Sequence, residues 1–291
     1  MKVRIVWKSR QGCNPRENAH ARLQSVLLAA LNTRFYRPLL ESCALGTRHS
    51  ILGLRSVEEV LARLPSVDVC TPGVRSRALV DYSVSANERR EIYWPLPPAA
   101  STAILMEGYR RRRGVRSFAR AGYQAIARYS PDAIAGPVSE IRRLAEAIQN
   151  HEVQLPPLRH SLIAFAILRH AFLSEETRDL FWRVFQVPVF GQILSLEGEV
   201  LAWECEAHEG YHVDAGNAIF ETVRDGREPG LTVTSLVDLR CPVLRMDTAL
   251  TGRMEHSTCG CGLAGPRLLD VRRRSLAKVA AMAASASCAA D

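Results

Sequence analysis

Lysine is scarce in this chain. Of 38 basic residues only Lys2, Lys8 and Lys278 are lysines, and the rest are arginine. The formal charge of +8 is therefore an arginine property. An arginine-rich composition accounts for it without a nucleic-acid partner. The densest basic run, at 110–113, has no aromatic residues interleaved and no nucleic-acid motif around it, so a solvated face is expected and nucleic acid is not. Long hydrophobic runs are absent too. No segment approaches the ~18 apolar residues of a membrane span. Met1-Lys2-Val3-Arg4 carries charge but no apolar stretch follows it, which argues against a signal peptide. No internal repeat is visible, and no Ser-His-Asp or Cys-His arrangement for nucleophilic catalysis.

What is present is an ordinary globular composition: 291 residues, 47% hydrophobic and 23% charged. That length suits one large domain or two modest ones, and it can bury a core without disulfides. The eight cysteines are then expected to be reduced, and the location cytoplasmic.

Hydrophobic spacing divides the chain. Leu23, Val26, Leu27, Ala30 and Leu31 share one face of a helix over 17–32. Ser56 and Glu59 have capping-box spacing ahead of Val57, Val60, Leu61 and Leu64. Residues 1–65 therefore read as a helical N-terminal cap. The segment 66–130 is a poorly patterned linker with Pro72-Gly73 and a proline cluster, and 114–130 looks helical. From 131 to 199 helices and apolar runs alternate. A helix opens at Pro137 with Ile141, Leu144, Ala145 and Ile148 inward, and 162–168 is a continuous apolar run. Ser174 caps a second helix, and 187–193 is apolar again. That order predicts an α/β unit with a parallel sheet. Short strands are expected at 200–203, 218–223, 231–236 and 243–246, making 200–270 a β-rich module. The stretch 271–291 is an alanine-rich tail.

The module carries the chemistry. Glu204-Cys205-Glu206-Ala207-His208-Glu209-Gly210-Tyr211-His212 supplies one thiol and two imidazoles. Cys259-Gly260-Cys261-Gly262 supplies two more thiols. Thiolate and imidazole suit zinc, which takes four ligands in a tetrahedron, and the glycines let both cysteines turn toward one ion. The assignment is Cys205, His212, Cys259 and Cys261, with His208 in reserve and Cys241 as a third option. Four protein ligands leave no open position, so a structural zinc is expected rather than a catalytic one. A redox pair at Cys259 and Cys261, or unrelated reduced cysteines, are the alternatives. Glu204, Glu206 and Glu209 are expected to face solvent beside the ion.

Taken in order, Val187-Pro188-Val189-Phe190 through His212, then Glu221, then 242–248, then Cys259-Gly260-Cys261-Gly262 resemble the phenylacetate–CoA ligase and CapK-like branch of the adenylate-forming enzymes. Asn32-Thr33-Arg34-Phe35-Tyr36 is similar to that family's opening helix. The likeness is dense after residue 130 and thin between 66 and 130. It implies a shortened large lobe, with a helical cap, a parallel sheet with helices and the β-rich zinc module, and without the small C-terminal domain that supplies a catalytic lysine. Lys278 lies in an unrelated-looking tail.

The resemblance also implies losses. The family's aromatic-Gly-x-x-Glu segment, which stacks on adenine and helps hold Mg²⁺, corresponds here to Ile193, Leu194 and Glu197, and only the glutamate survives. The Arg-Tyr-x-Thr-Gly-Asp motif becomes Arg245-Met246-Asp247-Thr248-Ala249-Leu250, with leucine where the ribose-binding aspartate belongs. Arg169-His170-Ala171 replaces a Gly-Gly-Glu-like turn. Ser83-Val84-Ser85 is a poor stand-in for the phosphate-cradling loop. At ~1–3 kcal/mol per lost polar partner, a micromolar ATP site worth ~8 kcal/mol would be largely gone.

Three functions follow. The first is a ligase-like protein with reduced or lost ATP-dependent acid activation, binding an aryl or acyl acid, CoA or a carrier protein. The second is an active AMP-forming ligase using ATP, Mg²⁺ and CoA, in which Glu197 holds the metal, Asp247 and Thr248 serve the nucleotide, and Arg245 holds a phosphate or the carboxylate. The third is a zinc-bearing nucleic-acid or protein adaptor.

Overall fold

The computed structural model describes residues 15–67, 92–106, 113–119, 122–168, 172–224 and 229–274. Ser83-Val84-Ser85, Arg169-His170-Ala171, Lys278, most of the 110–113 run and nearly all of the alanine-rich stretch lie outside those residues.

Four helices come first: α1 (Pro15–Ala30), α2 (Tyr36–Ser42), α3 (Arg48–Leu52) and α4 (Val57–Arg63). The stripe Leu23, Val26, Leu27 and Ala30 is fully buried. Ser56 caps α4 by accepting the Glu59 N–H at 3.1 Å. The Glu59 carboxylate accepts from Arg55 N–H at 3.0 Å, one residue short of the reciprocal bond of a capping box.

The next part alternates strands and helices: β1 (Thr102–Ile104), β2 (Val115–Ser117), α5 (Tyr123–Tyr129), β3 (Ala133–Pro137), α6 (Val138–Gln149), β4 (Leu162–Ile167), α7 (Glu175–Phe185) and β5 (Val189–Leu194). The helix expected over 114–130 is corrected: its first part is β2, hydrogen-bonded to β1, and helix begins only at Tyr123. Ser174 caps α7 through the Thr177 N–H as its position predicts. Six strands follow: β6 (Val200–Glu204), β7 (Tyr211–Val213), β8 (Ala218–Arg224), β9 (Pro229–Ser235), β10 (Met246–Glu255) and β11 (Arg267–Arg273). The strand expected at 243–246 starts where it was expected to stop and runs on to Glu255.

These eleven strands make one sheet in the order β2-β1-β3-β4-β5-β6-β7-β11-β10-β9-β8. β2, β1, β3, β4 and β5 are mutually parallel neighbours. From β5 onward every pairing is antiparallel. A parallel strand is covered on both faces, and β5 is accordingly buried at all six positions. On one face Ile126, Ile141, Leu144, Phe181 and Phe185 from α5, α6 and α7 pack against Ile134, Leu162 and Val189. A small cluster of Ile104, Ala135, Ile163, Phe165 and Leu194 fills the other face. The third core joins distant ends of the chain, packing Leu23, Leu27 and Leu40 with Leu201, Leu231, Val233 and Leu268. The Leu244 N–H donates to the Tyr36 hydroxyl at 3.2 Å, and Val67 makes a bridge with Met246.

Candidate metal centre

The ligand set is built on two turns. β6 ends at Glu204, and the turn that leads to β7 carries Cys205 at its start and His212 inside the strand. The second turn lies between β10 and β11. There Cys259 N–H donates to Leu263 O at 3.0 Å and Gly262 N–H to Cys259 O at 2.8 Å, closing a knuckle. Gly262 sits at φ +85°, where a side chain would be strained. Because β7 pairs with β11, with His212 opposite Arg267, the two turns meet at one end of the same strands.

The result is a compact cluster. One donor atom from each of Cys205, His212, Cys259 and Cys261 lies within 4.8 Å of all the others. The Cys205 and Cys259 sulfurs are 3.6 Å apart, and the Cys261 sulfur is 3.4 Å from His212 Nε2. A tetrahedron with zinc–sulfur bonds of about 2.3 Å and zinc–nitrogen bonds of about 2.0 Å has edges of about 3.8 Å between sulfurs and about 3.5 Å between sulfur and nitrogen. The observed separations are close to both. Backbone N–H groups of Ala207 and Leu263 donate to the Cys205 and Cys261 sulfurs. Such bonds favour thiolates. Burial, helped by the charge of Arg267, holds the His212 imidazole below its usual pKa, in the neutral form a metal requires. Burial likewise pushes the metal-free Cys205 thiol up to about 12.

An outer layer surrounds the donors. The Glu209 carboxylate accepts from Gly260 N–H at 2.8 Å and lies 3.5 Å from the Cys259 sulfur. The buried Arg267 donates to Glu209 O at 2.9 Å and to Ser257 Oγ at 3.1 Å, and pairs with the Glu209 carboxylate at 3.2 Å. The Trp203 ring stacks on His212 with centroids 5.9 Å apart.

The two reserve ligands are elsewhere. His208 stacks on Phe190 at 4.8 Å, and Cys241 packs against the core of the antiparallel half. Glu204 corrects the expectation of a solvent-facing carboxylate. It is 5% exposed, accepts from Arg178 of α7 at 2.6 Å and from Gly191 N–H at 2.5 Å. Nothing in its local sequence points to this, because the partner cation lies 26 residues earlier. Gly191 itself is required by a close approach: a Cβ there would sit 2.3 Å from the Tyr211 hydroxyl.

Glu197, Arg245, Asp247 and Thr248 are not part of the cluster. The Glu197 carboxylate accepts from Arg240 N–H at 2.7 Å, and its own N–H donates to the buried Asp238 at 2.9 Å. Arg245 pairs with Glu221 at 2.9 Å and donates to Leu61 O at 3.0 Å and to Leu64 O, both at the end of α4. Asp247 accepts from Ala249 N–H at 2.8 Å and is paired with Arg274. The Thr248 hydroxyl donates to Leu231 O at 2.7 Å. Ile193, Leu194 and Leu250 are all buried.

No family model matches the chain, and no curated protein matches it. Solved structures do. One is 2-hydroxyisobutyryl-CoA ligase in an open conformation with 2-HIB-AMP and CoA: TM-score 0.61, 16% identity, covering 89% of this chain and 69% of that one. The same ligase in the thioesterification state with 2-HIB-AMP and CoA gives a TM-score of 0.59 at 15% identity, over 93% and 69% of the two chains. In the postadenylation state with 2-HIB-AMP the TM-score is 0.62 at 16% identity, over 89% and 67%. The chain shares the fold of the part of that CoA ligase which it covers. At such identity the likeness is one of fold. Among the described residues one sheet runs from the parallel strands into the antiparallel strands whose turns carry the cysteines. No described helix is long and apolar enough to cross a membrane.

Proposed function

We propose that the chain is a phenylacetate–CoA ligase-like protein that holds a structural zinc and has reduced or lost ATP-dependent acid activation. One observation carries this: the polar side chains at the nucleotide-motif positions are already partnered inside the molecule. Arg245 is bound to Glu221 and to the end of α4, Asp247 to Ala249 and Arg274, and Thr248 to Leu231. Each would have to give up an internal partner to meet ATP, at ~1–3 kcal/mol apiece. Buried Ile193, Leu194 and Leu250 offer neither a π face nor an acceptor. The acid, CoA or a carrier protein would then be bound without being activated.

Zinc is supported by the donor chemistry. Three thiols and a neutral imidazole at tetrahedral spacing, with backbone donors on two of the sulfurs, fit the ion. Cys205, His212, Cys259 and Cys261 would hold it, and all four positions would be filled by protein. Bound there, it supplies a cross-link between the β6–β7 and β10–β11 turns, and its binding replaces the thiol protons.

The second reading is a working AMP-forming ligase. It is favoured by the fold shared with an enzyme solved with 2-HIB-AMP and CoA. Thermal unfolding with Mg²⁺-ATP decides between them, alongside pyrophosphate release with a panel of aryl and acyl acids. A ligand at 100 times its Kd stabilises by about 2.7 kcal/mol. No shift and no pyrophosphate are expected. A clear shift with acid-dependent pyrophosphate would establish the second reading instead.

A further inference from the structure

The three thiols of the cluster are not equally covered. Cys205 and Cys259 are 0% and 3% exposed, and Cys259 also has the Glu209 carboxylate beside it. Cys261 is the least buried of the three residues. It is half-buried, and exposed Gly260, Gly262 and Leu263 flank it. A Cβ placed on Gly262 would meet nothing within 4 Å, so open space adjoins the Cys261 side of the knuckle. Oxidation of a thiolate follows its charge and its exposure.

We propose that the cluster is a peroxide-responsive release site, in which Cys261 is the entry point and Cys205 the resolving thiol. The proposal rests on the zinc reading above. The Cys261 thiolate attacks a peroxide oxygen. A sulfur–oxygen bond forms, the O–O bond breaks, and hydroxide leaves and is protonated to water. The Cys205 thiolate then attacks the sulfenic sulfur, forming the disulfide and expelling hydroxide, which becomes a second water. The two sulfurs lose two electrons and the peroxide gains them. Cys205 is the partner because its sulfur lies within 4.8 Å of that of Cys261 and belongs to the other turn. A bridge from Cys259 to Cys261 would close a ring over a single residue, far from ordinary disulfide geometry. Once the pair has formed, only His212 and Cys259 remain as donors, too few to retain the ion. The covalent link takes over the joining of the two turns, so the fold survives the loss.

The test uses the full purified chain. Zinc content is read first by elemental analysis. Hydrogen peroxide is then added, with release followed by a chromogenic chelator and the disulfide located by peptide mass mapping after alkylation. Expected are one zinc released per chain and a Cys205–Cys261 linked peptide. The Cys261→Ser variant lacks a ligand and should hold zinc less tightly, but its release should no longer speed up with peroxide, while Cys241→Ser, outside the cluster, should match the parent. Zinc present at the start but retained under peroxide overturns the proposal and leaves the zinc reading standing, as does a different pairing. Absence of zinc at the start, with none taken up on addition, overturns both. The mapping is done on the parent chain, so it decides even if Cys261→Ser folds poorly.

Discussion

At the scale of single residues, the cluster was legible because its chemistry is written in residue types. Three cysteines and a histidine in two short segments name a ligand set before any coordinate is known, and those four donors meet. The choice of His212 over His208 was less legible, since both stand on the same short segment. The β7 pairing decides it by setting His212 against Arg267. Glu209 is exposed beside the cluster, as its place in the segment suggests, but its bonds to Gly260 and Arg267 come only from the fold. Replacing Glu209 with alanine should therefore weaken zinc binding by ~10–100-fold, the usual effect of losing an outer partner, with the fold intact. A competition titration against a chelator measures it.

Asp238 gives a residue-scale prediction in pH. Burial raises its pKa above the usual carboxylate value, despite the Glu197 N–H it accepts. The folded state thus holds the Asp238 proton to a higher pH than the unfolded chain. Its contribution to stability is greatest below the unfolded value and falls as pH rises through the folded one. Asp238→Asn removes that dependence. Relative to the parent, the variant should gain stability as pH rises above the usual carboxylate range, seen as a urea midpoint difference that moves in its favour with rising pH.

Among the elements, those with a long and regular apolar period came through. The buried stripe of α1, the inner face of α6 and the unbroken run of β4 are each set by local spacing. Elements of three residues did not. β2 and β7 are too short for a period to show, and their pairing with β1, and with β6 and β11, is tertiary information. β11 ends in a run of arginines and is buried only at its start, so alternation is lost there. Arg245 was assigned to a substrate from motif position alone, whereas in the fold it ties α4 to the strands. Removing it strips Glu221 of its cation and leaves the Leu61 and Leu64 carbonyls without a donor. Arg245→Ala should cost about 1–3 kcal/mol, for the part-buried acceptors it leaves without a donor. Chemical denaturation measures this, and a loss under about 1 kcal/mol would mean the clamp has no structural weight.

For the molecule as a whole, a zinc held by the four donors would join turns that lie in the half of the sheet covered by the N-terminal helices. Removing it should lower the melting temperature by at least about 10 °C, given the ~10 kcal/mol such sites can contribute. Melting in a strong chelator, with zinc added back, measures it. The order of the strands has a consequence for synthesis. β11, made after every other described strand, lies between β7 and β10. Until it arrives, both neighbours present unsatisfied edges, and α1 to α4 lack part of the surface that buries them. A nascent chain halted before residue 267 would therefore dock its first helices on an incomplete surface, with Leu268 and Val271 missing from it. Such a fragment should occupy chaperones for longer than one that extends past residue 273.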